Sequence, residues 1–307
     1  MICKKLVLST ISPFRLDLTV WALRRRQKNI VDQWNGNQYI RVILCNNSPA
    51  KLTITQEFES INPKIIVLMQ GQKEITPEMQ KNIQVLIQNM FGLTANLQPF
   101  YTLASNNEVL DLLVKQFAGV RPPRFPSIFE SLINSIACQQ LTLDVGILML
   151  NRFAERFGVR FEDNDTIFYA FPRPEDLADA SLKDIIKLGF SNQKAYAIKE
   201  LATRVVTGTI NLVHLEKMEN KEVVEYLSTI RGIGRWSAEY VLLRGLGRLD
   251  TFPGDDVGAR NNLQRLFHLD KKPNYDEIKK LTSQWHPYEG LVYFHLLLQK
   301  LHMQGVL

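Results

Sequence analysis

The sequence predicts an α+β amino-terminal domain over residues 1–99, built on an antiparallel sheet, followed by an all-α region over residues 100–307. Three observations support this prediction. Short runs rich in β-branched and aromatic residues recur before residue 99, whereas apolar residues at helical spacing dominate the rest of the chain. A glycine-rich turn near residue 232 separates two of the expected helices. A chain of 307 residues is long enough to bury more than one hydrophobic core.

The amino-terminal domain is predicted from four β-rich runs, at residues 16–18, 38–45, 51–56 and 65–69. Asn35-Gly36 precedes the second run and is typical of a hairpin turn, so we expect antiparallel pairing with one buried face. A helix then begins with Thr76 as its N-cap and Pro77 at its first position. Gly92 is expected to end that helix.

Beyond residue 100 the periodicity predicts helices alone, in two helical subdomains, with a helical hairpin near residues 227–245. Ser127 and Glu130 have the spacing of a capping box at the start of one helix. The proline-rich residues 121–126 before it form a stiff connector. The other helices are expected at residues 107–117, 141–157, 174–180, 181–188, 193–207, 220–230, 276–285 and 288–303.

Composition and charge limit the classes of partner, metal site and compartment that the chain can have. The net charge of +6 and the pI near 9.1 favour a polyanionic partner such as nucleic acid. The three cysteines, Cys3, Cys45 and Cys138, are scattered and form no pattern of a zinc or iron–sulfur site. No apolar run approaches the ~20 residues of a membrane span, and the amino terminus lacks a secretory pattern. We therefore expect a cytoplasmic protein without membrane contact, or a nuclear one in a eukaryote.

The turn at Gly232-Ile233-Gly234 is the first candidate binding element. Two glycines allow a tight turn at positive φ while the isoleucine anchors it in the core. Such a turn directs backbone N–H groups outward, where they can bind a DNA phosphate. An ordinary helix–helix turn is an equally good interpretation of these residues alone.

The residues after this turn include candidates for base stacking and for catalysis. Trp236, Tyr240 and Arg244 recur at a spacing of four and should share one helix face, where aromatic rings can stack on an unstacked base. The alternative is that the two aromatic rings belong to the core. Asp255 and Asp256 follow in a loop before the next helix. We expect Asp255 to be the N-cap of that helix, which leaves Asp256 free for catalysis.

Residues 227–260 together resemble the helix–hairpin–helix, Gly/Pro-rich loop and aspartate signature of base-excision DNA glycosylases. Residues 124–142, 171–177 and 188–195 resemble segments of the DNA-3-methyladenine glycosylase II (AlkA) branch. Residues 1–99 resemble the TATA-box-protein-like domain of that branch. The resemblance therefore covers nearly the whole chain, and its motifs are specific in combination.

The resemblance implies a role for each matching residue. It assigns the essential catalytic aspartate to Asp256 and the wedge that fills the gap left by a flipped nucleotide to Gln140. The base pocket is assigned to Trp236, Tyr240 and Tyr288, and the DNA-backbone contacts to Gly232, Gly234, Arg231 and Arg235.

The resemblance implies no catalytic cofactor and no metal bound by side chains. It does imply a monovalent cation, Na⁺ or K⁺, on hairpin carbonyls near Thr229 and Arg231.

Two departures from the pattern, and one residue that decides the subtype, bear on function. Arg231 stands where this hairpin often carries proline, and Glu289 follows Tyr288 where a basic residue is common. Trp236 occupies the position at which relatives that also cut the strand place a lysine for a Schiff base. The chain also lacks the carboxy-terminal cysteine cluster of the endonuclease III branch. We therefore expect a monofunctional hydrolase without a lyase step.

The implied function is a monomeric DNA glycosylase that starts base excision repair. It would flip alkylated purines of the 3-methyladenine and 7-methylguanine type out of double-stranded DNA and hydrolyse the N-glycosidic bond. The aromatic rings would favour cationic bases through cation–π contacts. Whether Asp256 activates water or acts electrostatically, and which damaged base is preferred, stay open at this point.

Three alternatives remain for the whole chain. One is a helix–hairpin–helix protein that binds DNA without catalysis. Another is a relative that acts on deaminated or oxidised bases with lyase activity. The third, based on residues 1–99, is a TATA-like transcription factor.

Overall fold

The computed structural model describes residues 2–45, 47–57 and 63–307. It confirms the predicted fold class, because a five-stranded antiparallel sheet near the amino terminus precedes a mostly helical region. The strands are β1 (Ile2–Ser9), β2 (Gln33–Trp34), β3 (Tyr39–Cys45), β4 (Ser48–Glu57) and β5 (Lys64–Gly71). They are arranged in the order β1-β5-β4-β3-β2, with antiparallel pairing at every step.

Two helices cover one face of this sheet, α1 (Leu16–Arg24) and α2 (Pro77–Met90). The β-rich prediction for residues 16–18 is therefore wrong, because Leu16, Val20 and Leu23 lie on one helical stripe that is buried against the sheet. The sequence analysis also missed β1. The adjacent Lys4 and Lys5 interrupt the alternation that would indicate a strand, and they lie on an edge strand where exposure is tolerated.

The predicted turn and cap signals of this domain are confirmed. Gly36, at φ +102°, lies in the turn between β2 and β3. The Thr76 hydroxyl accepts a hydrogen bond from Met79 N at 3.2 Å, with Pro77 at the first helical position. Gly92 follows the end of α2 at φ +56°.

The rest of the chain forms twelve further helices in the described structure. They are α3 (Gln98–Ala104), α4 (Glu108–Gln116), α5 (Ile128–Cys138), α6 (Leu143–Phe157), α7 (Pro174–Ala178), α8 (Leu182–Lys187), α9 (Asn192–Val206), α10 (Asn220–Ser228), α11 (Arg235–Val241), α12 (Val257–Leu266), α13 (Tyr275–Thr282) and α14 (Glu289–Met303). Short 3₁₀ turns lie at Leu212–Lys217 and Ser283–Trp285, and a π-helical turn at Leu242–Leu246 extends α11.

The prediction of helices alone beyond residue 100 is wrong at one place. Strands β6 (Arg160–Asp163) and β7 (Thr166–Tyr169) form a small antiparallel hairpin. Asn164 and Asp165 both adopt positive φ in its turn, a conformation that these two residue types tolerate.

The capping box at α5 forms only in part. The Ser127 hydroxyl accepts a hydrogen bond from Glu130 N at 3.1 Å, as expected. The Glu130 carboxylate does not return to the backbone of Ser127; it accepts a hydrogen bond from Arg41 of β3 at 2.5 Å. Tertiary pairing with a buried guanidinium has replaced the local half of the motif.

This contact belongs to a buried ion cluster that joins the sheet to the helical region. Arg41 also pairs with Asp32 at 2.6 Å, and the Tyr39 hydroxyl donates to the same carboxylate at 2.7 Å. Burial raises the pKa of Glu130 to about 7, and the Arg41 guanidinium opposes that rise. A second tie is the Lys51–Asp163 ion pair between β4 and β6. The Arg41 cluster and the Lys51–Asp163 pair together fix the position of the helical region relative to the sheet.

The described residues contain neither a cluster of metal-binding side chains nor a helix able to cross a membrane. No three His, Cys, Asp or Glu side chains come together there as a metal site. No helix in the same ranges is both long and apolar enough to cross a membrane. The three cysteines are free thiols.

His295 of α14 should make the fold sensitive to acid. Its Nδ1 lies 2.8 Å from the Leu291 carbonyl, which requires a donating N–H, and burial lowers the pKa of His295 to about 4 from an ordinary 6.5. Since the unfolded chain binds this proton more readily, stability is complete above pH 6.5 and is lost as the pH falls towards 4.

Between pH 7 and pH 5 we expect a loss on the order of 2 kcal/mol from this group. Thermal melts of wild type and His295→Leu across this range should show a smaller pH dependence in the variant. His214→Leu, at an exposed position, is the control and should melt with the wild-type pH dependence. Equal slopes for all three proteins would contradict the assignment.

Candidate active site

The hairpin between α10 and α11 adopts the predicted tight turn, although only one glycine needs its special conformation. Gly232 lies at φ +82°, and a Cβ there would come within 2.8 Å of Ala197 Cβ. Gly234 has φ −102° and ψ −179°, ordinary extended backbone, so the expected positive φ is wrong at this position. A Cβ on Gly234 would meet no atom within 4 Å. The backbone around Gly234 is therefore open to a ligand.

Helix α11 holds the loop that carries the two acids. Glu239, buried at 3% exposure, accepts a hydrogen bond from Gly254 N at 3.1 Å and one from the Tyr275 hydroxyl at 2.6 Å. One turn earlier, Arg235 pairs with Asp255 at 2.8 Å. The sequence analysis did not single out Glu239. Its signal in the sequence is an acid among the apolar residues of a buried helix face, which indicates a satisfied buried partner.

Asp256 rather than Asp255 is the N-cap of α12, so the expected division of roles between the two acids is wrong. Asp256 Oδ1 accepts a hydrogen bond from Ala259 N at 2.8 Å. Its Oδ2 accepts from the Trp236 indole Nε1 at 3.3 Å and from the Tyr293 hydroxyl at 3.2 Å. The cap therefore orients the carboxylate, and two aromatic donors fix its second oxygen.

Two of the three aromatic residues predicted for the base pocket lie side by side, and the third packs elsewhere. Trp236 and Tyr240 lie together with ring centroids 5.6 Å apart, and Tyr240 is buried. Tyr288 packs on Phe100 at 5.9 Å, and its place in the base pocket stays a prediction. Tyr293, which the sequence analysis missed, contacts the aspartate instead. The trace of it in the sequence is a hydroxyl-bearing residue inside the apolar run of α14.

Arg244 lies beside Tyr240 as its spacing predicts, with its guanidinium carbon 5.6 Å from the ring centre, but it is buried. It lies in the π-helical turn Leu242–Leu246, where the altered winding turns its side chain into the core. Its guanidinium donates to the carbonyls of Ala22 and Leu23 at 3.0 Å each.

The expected wedge residue, Gln140, follows the end of α5 at φ +54° and is exposed. Its neighbour Gln139 donates through Nε2 to the Gly232 carbonyl at 2.8 Å and to Ser237 Oγ at 2.9 Å. Lys194 of α9 donates through Nζ to the Gln139 carbonyl at 2.7 Å. These contacts fix the wedge segment to the hairpin.

The two exposed arginines of the hairpin differ in their surroundings. Arg231 stacks over Tyr196 with its guanidinium carbon 4.2 Å from the ring centre. Arg235 stacks over Tyr275 at 3.6 Å and already pairs with Asp255. Both side chains reach the protein surface, where their contact with DNA stays a prediction.

An α+β domain followed by a helical region, in which a glycine hairpin holds an aspartate loop, is the architecture of helix–hairpin–helix DNA repair enzymes. The model of the HhH-GPD superfamily of base excision DNA repair proteins matches residues 133–287. A DNA-3-methyladenine glycosylase of Bacillus subtilis is 27% identical over 92% of this chain and 93% of its own length. The putative DNA-3-methyladenine glycosylase YfjP of the same organism is 31% identical over 69% of this chain and 70% of its own.

The solved structures agree on the fold. The 3-methyladenine DNA-glycosylase from Archaeoglobus fulgidus superposes with a TM-score of 0.83 at 24% identity, covering 95% of this chain and 97% of that one. The chain therefore belongs to the HhH-GPD superfamily of base excision DNA repair proteins, and it is an enzyme of the DNA glycosylase class.

Asp256 is both the N-cap of α12 and the candidate catalytic charge. Two substitutions can separate its contribution to stability from the effect of its charge. Asp256→Ala removes the N-cap and should lower the free energy of unfolding by about 1 kcal/mol. Asp256→Asn keeps a side-chain oxygen for Ala259 N and should therefore be more stable than Asp256→Ala, although its amide nitrogen no longer accepts from Trp236 and Tyr293. Urea titrations of the three proteins measure both differences. Equal stability of Asp256→Ala and wild type would contradict the capping geometry.

Proposed function

We propose that this glycosylase removes alkylated purines, of which 3-methyladenine is the type, from double-stranded DNA by hydrolysing the N-glycosidic bond, with Asp256 as the catalytic residue. The observation that carries the proposal is the carboxylate of Asp256, held at the mouth of α12 between Trp236 and Tyr293. The substrate class is carried over from relatives that are named for 3-methyladenine.

Cleavage of this bond leaves positive charge on the deoxyribose in an oxocarbenium-like transition state. A carboxylate fixed close to the anomeric carbon stabilises that charge without moving during the reaction. Asp256 Oδ2 already accepts two hydrogen bonds and Oδ1 accepts one, so about three of the four acceptor positions of the carboxylate are filled and its orientation is fixed. We therefore favour an electrostatic role for Asp256 over activation of the attacking water.

The target base has to leave the duplex before it reaches this carboxylate, at a cost of a few kcal/mol. We propose that Gln140 enters the base stack and offsets part of that cost. Its anchoring through Gln139 to the Gly232 carbonyl would keep the wedge at a set distance from the phosphate bound at the hairpin. Arg231 and Arg235 would add phosphate contacts that do not read sequence.

Alkylation at N3 or N7 makes a purine a good leaving group, so a single acidic residue is sufficient for hydrolysis. Trp236 stands where lyase-active relatives use a lysine, and an indole cannot form a Schiff base. We propose a monofunctional enzyme on this ground, and we also propose that it acts as a monomer.

We also propose that the hairpin holds Na⁺ or K⁺. Thr229 and Arg231 are exposed in the turn. A cation bound by their carbonyls would stiffen the backbone that faces the phosphate.

Asp256→Asn should lower single-turnover release of 3-methyladenine from alkylated duplex DNA by at least about 100-fold, because the amide cannot stabilise the developing positive charge. Asp255→Asn is the matched control and should retain most of the activity, since it loses only a half-exposed pair with Arg235. Comparable losses in both variants would contradict the assignment of Asp256. DNA binding without base release by wild type would favour the binding-module alternative.

Lys194→Met should lower activity on duplex DNA by about tenfold, because the carbonyls of Ala137 and Gln139 lose their hydrogen bonds to its amine and the wedge segment loosens. Release of the same base from single-stranded DNA, where no wedge is needed, should change much less. Lys199→Met, on the same helix, is the control. An equal loss on both substrates would indicate general damage to the fold.

A further inference from the structure

Tyr196 of α9 is an exposed aromatic residue that the proposed reaction does not use. The residue is 43% exposed. The guanidinium of Arg231, in the hairpin, lies over its ring, with the guanidinium carbon 4.2 Å from the ring centre. An arginine stacked at this distance makes a cation–π contact. The contact therefore joins the surface of α9 to the turn that is expected to bind DNA.

Helix α9 is packed between the wedge segment and the hairpin. On the wedge side, Lys194 donates to the Gln139 carbonyl at 2.7 Å. On the hairpin side, a Cβ added to Gly232 would come within 2.8 Å of the Cβ of Ala197. Tyr196 lies between Lys194 and Ala197 in the same helix, so these two contacts fix the position of its backbone.

Arg231 differs from Arg235, the other exposed arginine of the hairpin, because it has no acidic partner. Arg235 pairs with Asp255 at 2.8 Å, and that hydrogen bond raises the pKa of the Arg235 guanidinium above its ordinary value. A DNA phosphate has to compete with Asp255 for this guanidinium. Within the described ranges, the Arg231 side chain has neither an ion pair nor a hydrogen bond to the protein.

The stack on Tyr196 leaves the binding capacity of Arg231 intact. The five N–H donors of a guanidinium lie in its plane, whereas an aromatic ring covers one of its faces. These donors can therefore bind two phosphate oxygens while the stack holds the side chain in place. A guanidinium that is already held loses less conformational freedom when it binds.

We propose that Tyr196 is a positioning residue for DNA binding, which holds Arg231 ready for a backbone phosphate, so that Arg231 makes the larger ionic contact of the two hairpin arginines. This inference rests on the proposed function, since it needs duplex DNA at the hairpin. It deepens that function by naming the charge that carries the contact and the residue that orients it. A proline at position 231 would offer neither the charge nor the stack.

The salt dependence of DNA affinity tests the ionic contact. The probe is a duplex with a tetrahydrofuran analogue of an abasic site, which has no base to release. The logarithm of the association constant falls with the logarithm of the salt concentration, with a slope of about −0.9 for each phosphate contact. We expect Arg231→Ala to make this slope less steep by about 0.9 and Arg231→Lys to restore it. Arg235→Ala should change the slope less, because Asp255 already offsets that charge.

Arg156→Ala is the matched control. Arg156 is also exposed and stacked, with its guanidinium carbon 5.2 Å from the ring centre of Phe157. It lies in the last turn of α6, roughly 20 Å along that helix from the wedge segment, so its removal should leave the slope unchanged.

An unchanged slope in Arg231→Ala, or a larger change in Arg235→Ala, would overturn the inference. Either result would leave the proposed function standing as long as the wild type releases 3-methyladenine. Absence of release of any alkylated purine by the wild type would overturn the proposed function instead.

Substitutions at Tyr196 separate positioning from direct contact with DNA. Tyr196→Ala should weaken binding about threefold at a fixed salt concentration, because Arg231 is no longer held. Tyr196→Phe keeps the ring and should bind like wild type. An equal loss in both variants would mean that the hydroxyl acts rather than the stack, and would overturn the positioning role.

A double-mutant cycle completes the test. In the Arg231→Ala background, Tyr196→Ala should have no further effect on affinity. The same loss in both backgrounds would show that Tyr196 does not act through Arg231 and would overturn the inference. Both side chains are exposed, so these variants are expected to fold, which thermal melts verify.

Discussion

The structure of the active site depends on how helix α11 holds the loop at residues 253–256. Glu239 binds the backbone of Gly254, Arg235 binds the side chain of Asp255, and Trp236 binds Asp256. Because α11 begins at the glycine hairpin, one helix connects that turn to the Asp256 carboxylate. Under the proposed function, a phosphate bound at the hairpin would lie at a fixed distance from the carboxylate proposed to act on its sugar.

The amino-terminal domain contributes to this site as well as to the fold. Arg25 is the C-cap residue of helix α1, and its guanidinium reaches the ring of Tyr240 in the helical region. The buried cluster around Arg41 holds the sheet against α5, the helix that leads into the wedge segment. Removing one partner from such a cluster leaves an uncompensated buried charge, so the relative position of the two parts is strongly specified.

Local signals predicted much of the fold correctly. Thr76, Ser127 and Gly92 each act through their immediate neighbours, so their caps could be identified from a few residues. The two prediction errors, a strand assigned to residues 16–18 and the failure to predict β1, arise because the local signal is weak there. A three-residue run has too few positions to separate the helical from the strand period, and an edge strand rich in lysine carries almost no apolar alternation.

The sequence by itself determined the family, the catalytic candidate and the Gly232 turn, because residue type and spacing along one chain define them. Only the tertiary structure decided which acid caps α12, that Tyr293 contacts Asp256, and that Glu239 fixes the loop. It also decided that Arg25 and Arg244 meet at Tyr240. These contacts join residues up to 222 positions apart, as the hydrogen bond from Arg244 to Ala22 does. Local patterns carry no information about such pairs, because burial and orientation arise only when the elements pack.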